Sequence, residues 1–412
     1  VAYVFIADDF TGASDTLATL ARAGLKARLF RDLPAPADLV GLDAWGIATQ
    51  ARALDRTPMI ALAQRLGKGI AAFSPDFLHL KICSTFDSSP GTGNFVLMAE
   101  ILSDALGIAD IAVIGGQPSL GRHAIFGTLF ARGPDGRVHR IDRHPVMSIH
   151  PVTPMHEADM LHHLEALGLH GLNLVSRGMT GNAFPRYYDA LDQSDVEAAG
   201  HDLQPSTNRC LVIGASSVAE AWLASRGYTA TVLPPDLPVN NGPILAFAGS
   251  RSSLTTAQIA AAESYGRLPI NPADMIAGGS RLADAHDWAA ERLARRENCI
   301  IFLTADHAGP ITPADLAEAS AEFVVRLVAK ARPGALVVAG GDTSSAIVDR
   351  LAPAWLDFAG MLCPGVPILG SDGPAGELPL ALKGGQMGAL DFFDRARAIL
   401  QGGKPKTRNG VR

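Results

Sequence analysis

The feature that most constrains this chain is an alternation, almost end to end, of short apolar β-rich runs with longer stretches of helical spacing. Strands are predicted at Tyr3–Ala7, Ala27–Phe30, Trp45–Thr49, Leu78–Cys83, Ile111–Ile114, Leu172–Val175 and Cys210–Ile213, then at Ile244–Ala248, Ile300–Leu303, Leu336–Ala339 and Leu380–Leu382. Several are continuously apolar, as strands covered on both faces must be. Helical spacing fills the gaps, at Asp15–Ala23, Val96–Leu106, Ser217–Arg226, Thr255–Tyr265 and Pro313–Ala331, the last opened by Thr312 with proline at its first position. Such a sequence specifies an α/β fold with mainly parallel sheets flanked by helices.

The segment Thr231–Pro243, TVLPPDLPVNNGP, is a poor helix and a poor central strand. It marks a linker at 231–243 between a first domain, 1–230, and a second, 244–412, with a ligand cleft expected between them. The polar tail Gln401–Arg412 is expected to fray.

Composition narrows the function. With 35 basic against 41 acidic residues, net charge -6, the chain lacks the basic excess of a nucleic-acid binder. No apolar run approaches the ~20 residues that span a bilayer, and Val1–Phe5 leads straight into a strand with no room for a signal peptide. A cytoplasmic protein is expected. The four cysteines, Cys83, Cys210, Cys299 and Cys363, show no C-x-x-C spacing and read as buried reduced thiols. Seven of the 12 histidines fall between His139 and His170, mostly five to seven apart, which misses the helical metal-pair spacing and reads as a solvated stretch.

Ligands of parallel α/β sheets gather at the carboxyl ends of strands. There the first strand delivers Asp8, Asp9 and Thr11, two carboxylates and a hydroxyl where a helix cap needs one such group. The fourth delivers Lys81, Ser84, Thr85 and Asp87, with Asn94 before the next helix. Hydroxyls and a carboxylate suit a polyol or hydroxy acid, and a lysine suits its carboxylate or a phosphate. Arg122 can grip a carboxylate with two parallel hydrogen bonds. His144 is a candidate to bind substrate or move a proton.

The second domain holds three glycine-rich turns that each follow a strand and open a helix: Gly249–Ser253, Gly340–Ser345 and Lys383–Gly388. Each offers bare backbone N–H groups at a helix start, where the dipole favours an anion. Three in about 170 residues point to a nucleotide, although neither the P-loop nor the G-x-G-x-x-G pattern is present. Asp342, inside one turn, could hold magnesium on the phosphates or accept the proton of an attacking hydroxyl.

These motifs together resemble the four-carbon acid sugar kinase family over nearly the whole length. They are IADDFTGASD, KICSTFDSS, Gly121-Arg122, the segment Pro151–Met155 (PVTPM), GSRSSLTTAQ, GGDTSSA, PGVPI and KGGQMG. The resemblance is strongest to the 3-oxo-tetronate kinase branch. It implies ATP- and magnesium-dependent phosphorylation of the terminal hydroxyl of a sugar acid (3-oxo-tetronate, or else threonate or erythronate) by an N-terminal acid domain and a C-terminal nucleotide domain. ATP contacts carry over to Ser252, Gly340, Gly341, Asp342, Thr343 and Gly385, with no metal-ligand set assigned. One departure is Gln386-Met387 where the family usually has Asn-Phe. The expected partners are the acid and ATP alone, with room for a homodimer on aliphatic faces. A non-catalytic sugar-acid sensor, and a lyase or aldolase using Lys81, are the competing classes.

Overall fold

The structure, a computed structural model, describes residues 3–75, 77–150, 153–204, 209–229, 242–305, 311–372 and 377–402. Most of the expected linker and all but two residues of the polar tail lie outside the described residues. The chain divides into two compact units, Val1–Val232 and Leu233–Arg412.

The first unit is built on β1 (Tyr3–Ala7), β2 (Ala27–Phe30), β3 (Ala44–Ala48), β4 (Leu78–Lys81), β5 (Asp110–Ile114), β9 (Asn173–Val175), β10 (Arg186–Tyr188) and β11 (Cys210–Gly214). They pair in parallel throughout, in the order β2-β3-β1-β4-β11-β5-β10-β9. β6 (Arg122–Ile125), β7 (Thr128–Arg132) and β8 (Val138–Arg140) form a separate antiparallel sheet, with the Pro134-Asp135-Gly136 hairpin between its last two strands. The helices are α1 (Phe10–Arg22), α2 (Arg56–Ala71), α3 (Phe95–Leu106), α4 (Met160–Leu167), α5 (Gln193–Leu203) and α6 (Ser217–Ala224). β1, β3 and β11 are buried along their whole length, so their apolar runs reflect cover on both faces.

The second unit carries β12 (Ile244–Ala248), β13 (Gly266–Ile270), β14 (Cys299–Leu303), β15 (Ala335–Ala339), β16 (Trp355–Cys363), β17 (Val366–Asp372) and β18 (Leu380–Lys383). The order β13-β14-β12-β15-β18 is parallel, and β17 and β16 extend it antiparallel. Its helices are α7 (Ser253–Ala261), α8 (Pro272–Ala277), α9 (Ser280–Ala294), α10 (Pro313–Ala331), α11 (Gly341–Leu351) and α12 (Phe392–Leu400). No described helix is long and apolar enough to cross a membrane.

Both sheets have a switch point. From β1 the chain crosses to β2 and returns through β3 on one side, while β4 leads to β5 and β11 on the other. From β12 it runs to β13 and β14, while β15 leads to the strands on the opposite side. Connections leaving adjacent strands in opposite directions open a crevice at their carboxyl ends, where α/β proteins bind ligands.

The first unit buries a histidine in its core. His79 Nδ1 lies 2.8 Å from the Tyr3 hydroxyl and Nε2 3.1 Å from the Gly214 carbonyl, so a neutral ring satisfies both contacts. Burial pushes its pKa down to about 3, below the ordinary value of 6.5. Between those values only the unfolded chain takes up the proton, so this stability is whole above pH 6.5 and is lost on acidification. The loss runs at up to about 1.4 kcal/mol per pH unit. Urea unfolding at pH 7.5 and 5.0 should show that fall, and His79→Gln should flatten it; an unchanged slope would remove His79 as the cause.

Candidate functional site

At the first switch point β1 and β4 end side by side, with Ala7 paired to Lys81 and the Asp8 N–H donating to the Lys81 carbonyl at 3.0 Å. The next residues on each strand form the site. Asp9 caps α1 by accepting from the Gly12 N–H at 2.7 Å and the Thr11 hydroxyl at 2.6 Å, so the helix begins at Phe10, five residues before the predicted start. Gly12 is needed there, because a Cβ would lie 2.5 Å from Lys81 Nζ and 2.6 Å from Asp9 Oδ1.

Lys81 is buried against Asp9 and donates to the Ile82 carbonyl at 2.7 Å. Arg52, which the motifs did not single out, clamps the carboxylates. Its Nε and Nη2 reach Asp8 at 3.1 and 3.0 Å, and its Nη1 reaches Asp9 at 3.0 Å. Burial pushes both carboxyls up. For Asp9 the charges of Arg52 and Lys81 and the Thr11 and Gly12 hydrogen bonds outweigh it and hold the group below the usual range. For Asp8 burial prevails over Arg52, assisted by the charge of Asp9, and its pKa is raised. Adjacent carboxylates thus differ in proton affinity.

The loop after β4 adds a second cluster. Thr85 donates its hydroxyl to Asp87, the Cys83 thiol lies 2.9 Å from that hydroxyl, and Thr153 donates to the other Asp87 oxygen at 3.2 Å. Thr153 belongs to PVTPM, whose first two residues lie outside the described residues. Ser84, Thr85 and Asp87 are all buried. Phe86 between them has φ 57°, a left-handed backbone uncommon for an aromatic residue and of the kind that clusters at functional sites.

Arg122, first residue of β6, donates to the Leu120 carbonyl, and its buried Nε has no hydrogen-bond partner among the described residues. It has no carboxylate partner among the described residues, and burial lowers its pKa despite the fields of Cys83 and Asp15. Asp15 in α1 is taken up by Ser216 at 2.6 Å and Gln117 at 3.1 Å.

Two expected acid-site residues do other work. Asn94 caps α3, its oxygen accepting from the Leu97 N–H at 3.0 Å and its amide donating to the Leu167 carbonyl at 3.1 Å. His144 Nδ1 accepts from the Val146 and Met147 N–H groups while Nε2 faces the Arg132 carbonyl. Its polar atoms are used locally and the ring is buried, which also corrects the reading of the whole histidine stretch as solvated.

At the second switch point the three glycine turns are contiguous. The Ser250 N–H donates to the Ala339 carbonyl at 2.9 Å, and the Gly340 N–H donates to the Lys383 carbonyl at 2.8 Å. A Cβ on Gly249 would sit 2.0 Å from Thr343 Oγ1, and one on Gly385 2.7 Å from Ser250 Oγ. Ser252 caps α7 by accepting from the Thr255 N–H at 3.2 Å and donates to the Gly385 carbonyl at 2.7 Å. Gly341, the exposed Asp342 and Thr343 form the first turn of α11.

Gly340 has φ 132°, and a Cβ on it would lie 3.0 Å from the Ser250 nitrogen. Gly340→Ala is expected to cost about 1–3 kcal/mol. A denaturation midpoint equal to that of the parent protein would contradict it.

Residues 3–222 match the sugar-binding N-terminal domain family and residues 245–393 the nucleotide-binding C-terminal domain family. The chain is 31% identical to a 3-oxo-tetronate kinase of Methylobacterium radiotolerans, covering 95% of this chain and 97% of the relative. It is 30% identical to a 3-oxo-isoapionate kinase of Paraburkholderia graminis, covering 95% and 93%. The chain belongs to the four-carbon acid sugar kinase family. Its fold is shared with a Salmonella typhimurium LT2 structure described as a candidate tRNA synthase, at 24% identity and TM-score 0.75 over 96% of this chain and 98% of that one.

Within this acid sugar kinase the Gln386-Met387 departure leaves the last turn supported. Gln258 donates to the Met387, Gly388 and Ala389 carbonyls at 3.0, 3.1 and 2.9 Å, and Ser252, Thr255 and Lys383 hold the Gly384 and Gly385 carbonyls. All of these grip backbone, so the two changed side chains leave them in place. Arg52 had one signal in the sequence: it lies just past the carboxyl end of a predicted strand.

Proposed function

We propose that the chain phosphorylates the terminal hydroxyl of 3-oxo-tetronate with ATP, in the cytoplasm, the first unit holding the acid and the second the nucleotide. The observation that carries the reading is the contiguity of three glycine turns at one switch point. There, backbone N–H groups at the starts of α7 and α11 can meet a polyphosphate that glycine lets approach closely.

In the acid site Arg122 is the anchor for the substrate carboxylate, because a half-buried guanidinium with a buried, unused Nε–H is matched by a planar anion. Asp8 and Asp9, set by Arg52, read hydroxyls, while Ser84, Thr85, Asp87 and Thr11 meet the remaining hydroxyls and the keto oxygen. Lys81 holds Asp9 in its ionised form from beneath. Asn94 and His144 are left out.

In the nucleotide site Ser252, Gly340, Gly341, Thr343 and Gly385 shape the phosphate cradle. An exposed carboxylate beside phosphates repels them unless a cation lies between or a proton is taken. Magnesium favours one or two carboxylates together with phosphate oxygens, so the donor set fits, and Asp342 would hold the ion. When bound, that ion neutralises charge on the transferring group. Asp342 is equally placed to accept the proton of the attacking hydroxyl.

A coupled assay of ADP release with 3-oxo-tetronate, 3-oxo-isoapionate, threonate and erythronate tests the reading. Turnover is expected to be fastest on 3-oxo-tetronate. A preference for another acid would reassign the substrate, and no turnover on any would overturn the proposal.

A further inference from the structure

Lys383, at the carboxyl end of β18, has no solvent-exposed surface, yet it lies beside all three glycine turns. Its Nζ donates to Thr255 Oγ1 at 3.1 Å and to the Gly384 and Gly385 carbonyls at 3.0 and 3.5 Å. No carboxylate pairs with it among the described residues. α7 contributes the Thr255 hydroxyl, α12 the Phe392 ring 5.6 Å away, and β16 the Cys363 thiol. The charges of Arg395 and Asp391 also bear on Cys363. The Thr255, Gly384 and Gly385 acceptors can take its three N–H bonds, but they are neutral, so no anion among the described residues balances a charge that burial disfavours.

We propose that Lys383 is a positioning residue whose counter-charge is the phosphate chain of the bound nucleotide, so that nucleotide binding is linked to protonation of its amine. This rests on the second unit being the nucleotide site. Thr255 carries the link, its Oγ1 accepting from Lys383 while lying 3.1 Å from Ser252 Oγ and 3.4 Å from Ser250 Oγ in the first turn. The ammonium also draws in the Gly384 and Gly385 carbonyls of the last turn, the second of which also accepts from the Ser252 hydroxyl. Burial lowers the Lys383 pKa to about 8 in the empty protein. Phosphates alongside favour the charged form and raise it again. Above pH 8 the empty site is therefore mostly neutral and must gain a proton to bind, so affinity falls as pH rises.

The test is calorimetric titration of the full chain with magnesium and ADP between pH 7 and 9.5, in buffers of different ionisation enthalpy. ADP suits it because its own last phosphate ionisation, near pH ~6, is complete in that window. Proton uptake should rise toward one per ADP near pH 9, with affinity falling up to about 10-fold per pH unit above 8. Lys383→Met should bind at least about 10-fold more weakly at pH 7, show no such uptake, and converge with the parent protein at high pH. Should that variant fail to fold, Lys383→Arg keeps the charge without titrating and should bind with no decline over the window. Absence of uptake in the parent protein, unweakened binding by Lys383→Met, or a parental pH decline in Lys383→Arg would each overturn the inference alone. Failure of the parent protein to bind ADP at any pH would instead remove the nucleotide reading, and this inference with it.

Discussion

Asp342→Ala is expected to lower kcat by about 100-fold or more, the usual range for removing a positioned proton acceptor or a carboxylate that holds a phosphate-bound ion. The side chain is exposed in the first turn of α11, and a melting temperature measured beside the kinetics separates loss of catalysis from loss of folding. Steady-state kinetics with a calorimetric ADP titration separates the contributions. A large fall in kcat with nearly parental ADP affinity supports the proton acceptor. Joint loss of both, relieved by raised magnesium, supports the ion. Near-parental kcat would take Asp342 out of the mechanism.

Arg122→Ala should raise KM for the acid by roughly 100-fold while leaving KM for ATP unchanged, because truncating one partner of a buried charge pair costs about 2–5 kcal/mol. Lysine in its place should recover little, since a point charge cannot reproduce the two parallel hydrogen bonds of a guanidinium. A further sign distinguishes an anchor from a structural arginine. In the empty protein this guanidinium is half-buried, with an unused Nε and no carboxylate partner among the described residues, so its removal should leave thermal stability nearly unchanged or raised. A destabilised variant with an unaltered KM would refute the assignment.

The parallel framework was legible because fully buried strands advertise themselves as apolar runs: β1 and β12 fall where the pattern put them, as does the half-buried β2, and α10 matches at both ends. The misses have physical causes. β13 contains Pro269, which an edge strand tolerates and a central one does not. β16 breaks its alternation at Gly360, where its register against β17 shifts, and the Pro364-Gly365 turn joining the two was seen as a motif without its hairpin meaning. Several helix limits were displaced because caps decide them, as Asp9 does for α1.

In the site, residues within one motif were legible and residues that close on it from elsewhere were not. Asp8, Asp9, Lys81 and Asp87 come from two strand ends, but Arg52 and Thr153 arrive from distant stretches, and only the folded sheet shows what they touch. Asn94 and His144 illustrate the converse. Each sits beside a motif, and each has its hydrogen-bonding capacity claimed by neighbouring backbone, which composition cannot reveal.

The two stranded cations, Arg122 and Lys383, have a practical consequence. Cations with no anionic partner among the described residues favour bound anions, so anions that settle against them should raise the melting temperature more than their contact area alone would give. A dye-based thermal screen of small carboxylates, run with and without a nucleotide, would therefore rank candidate acids independently of turnover.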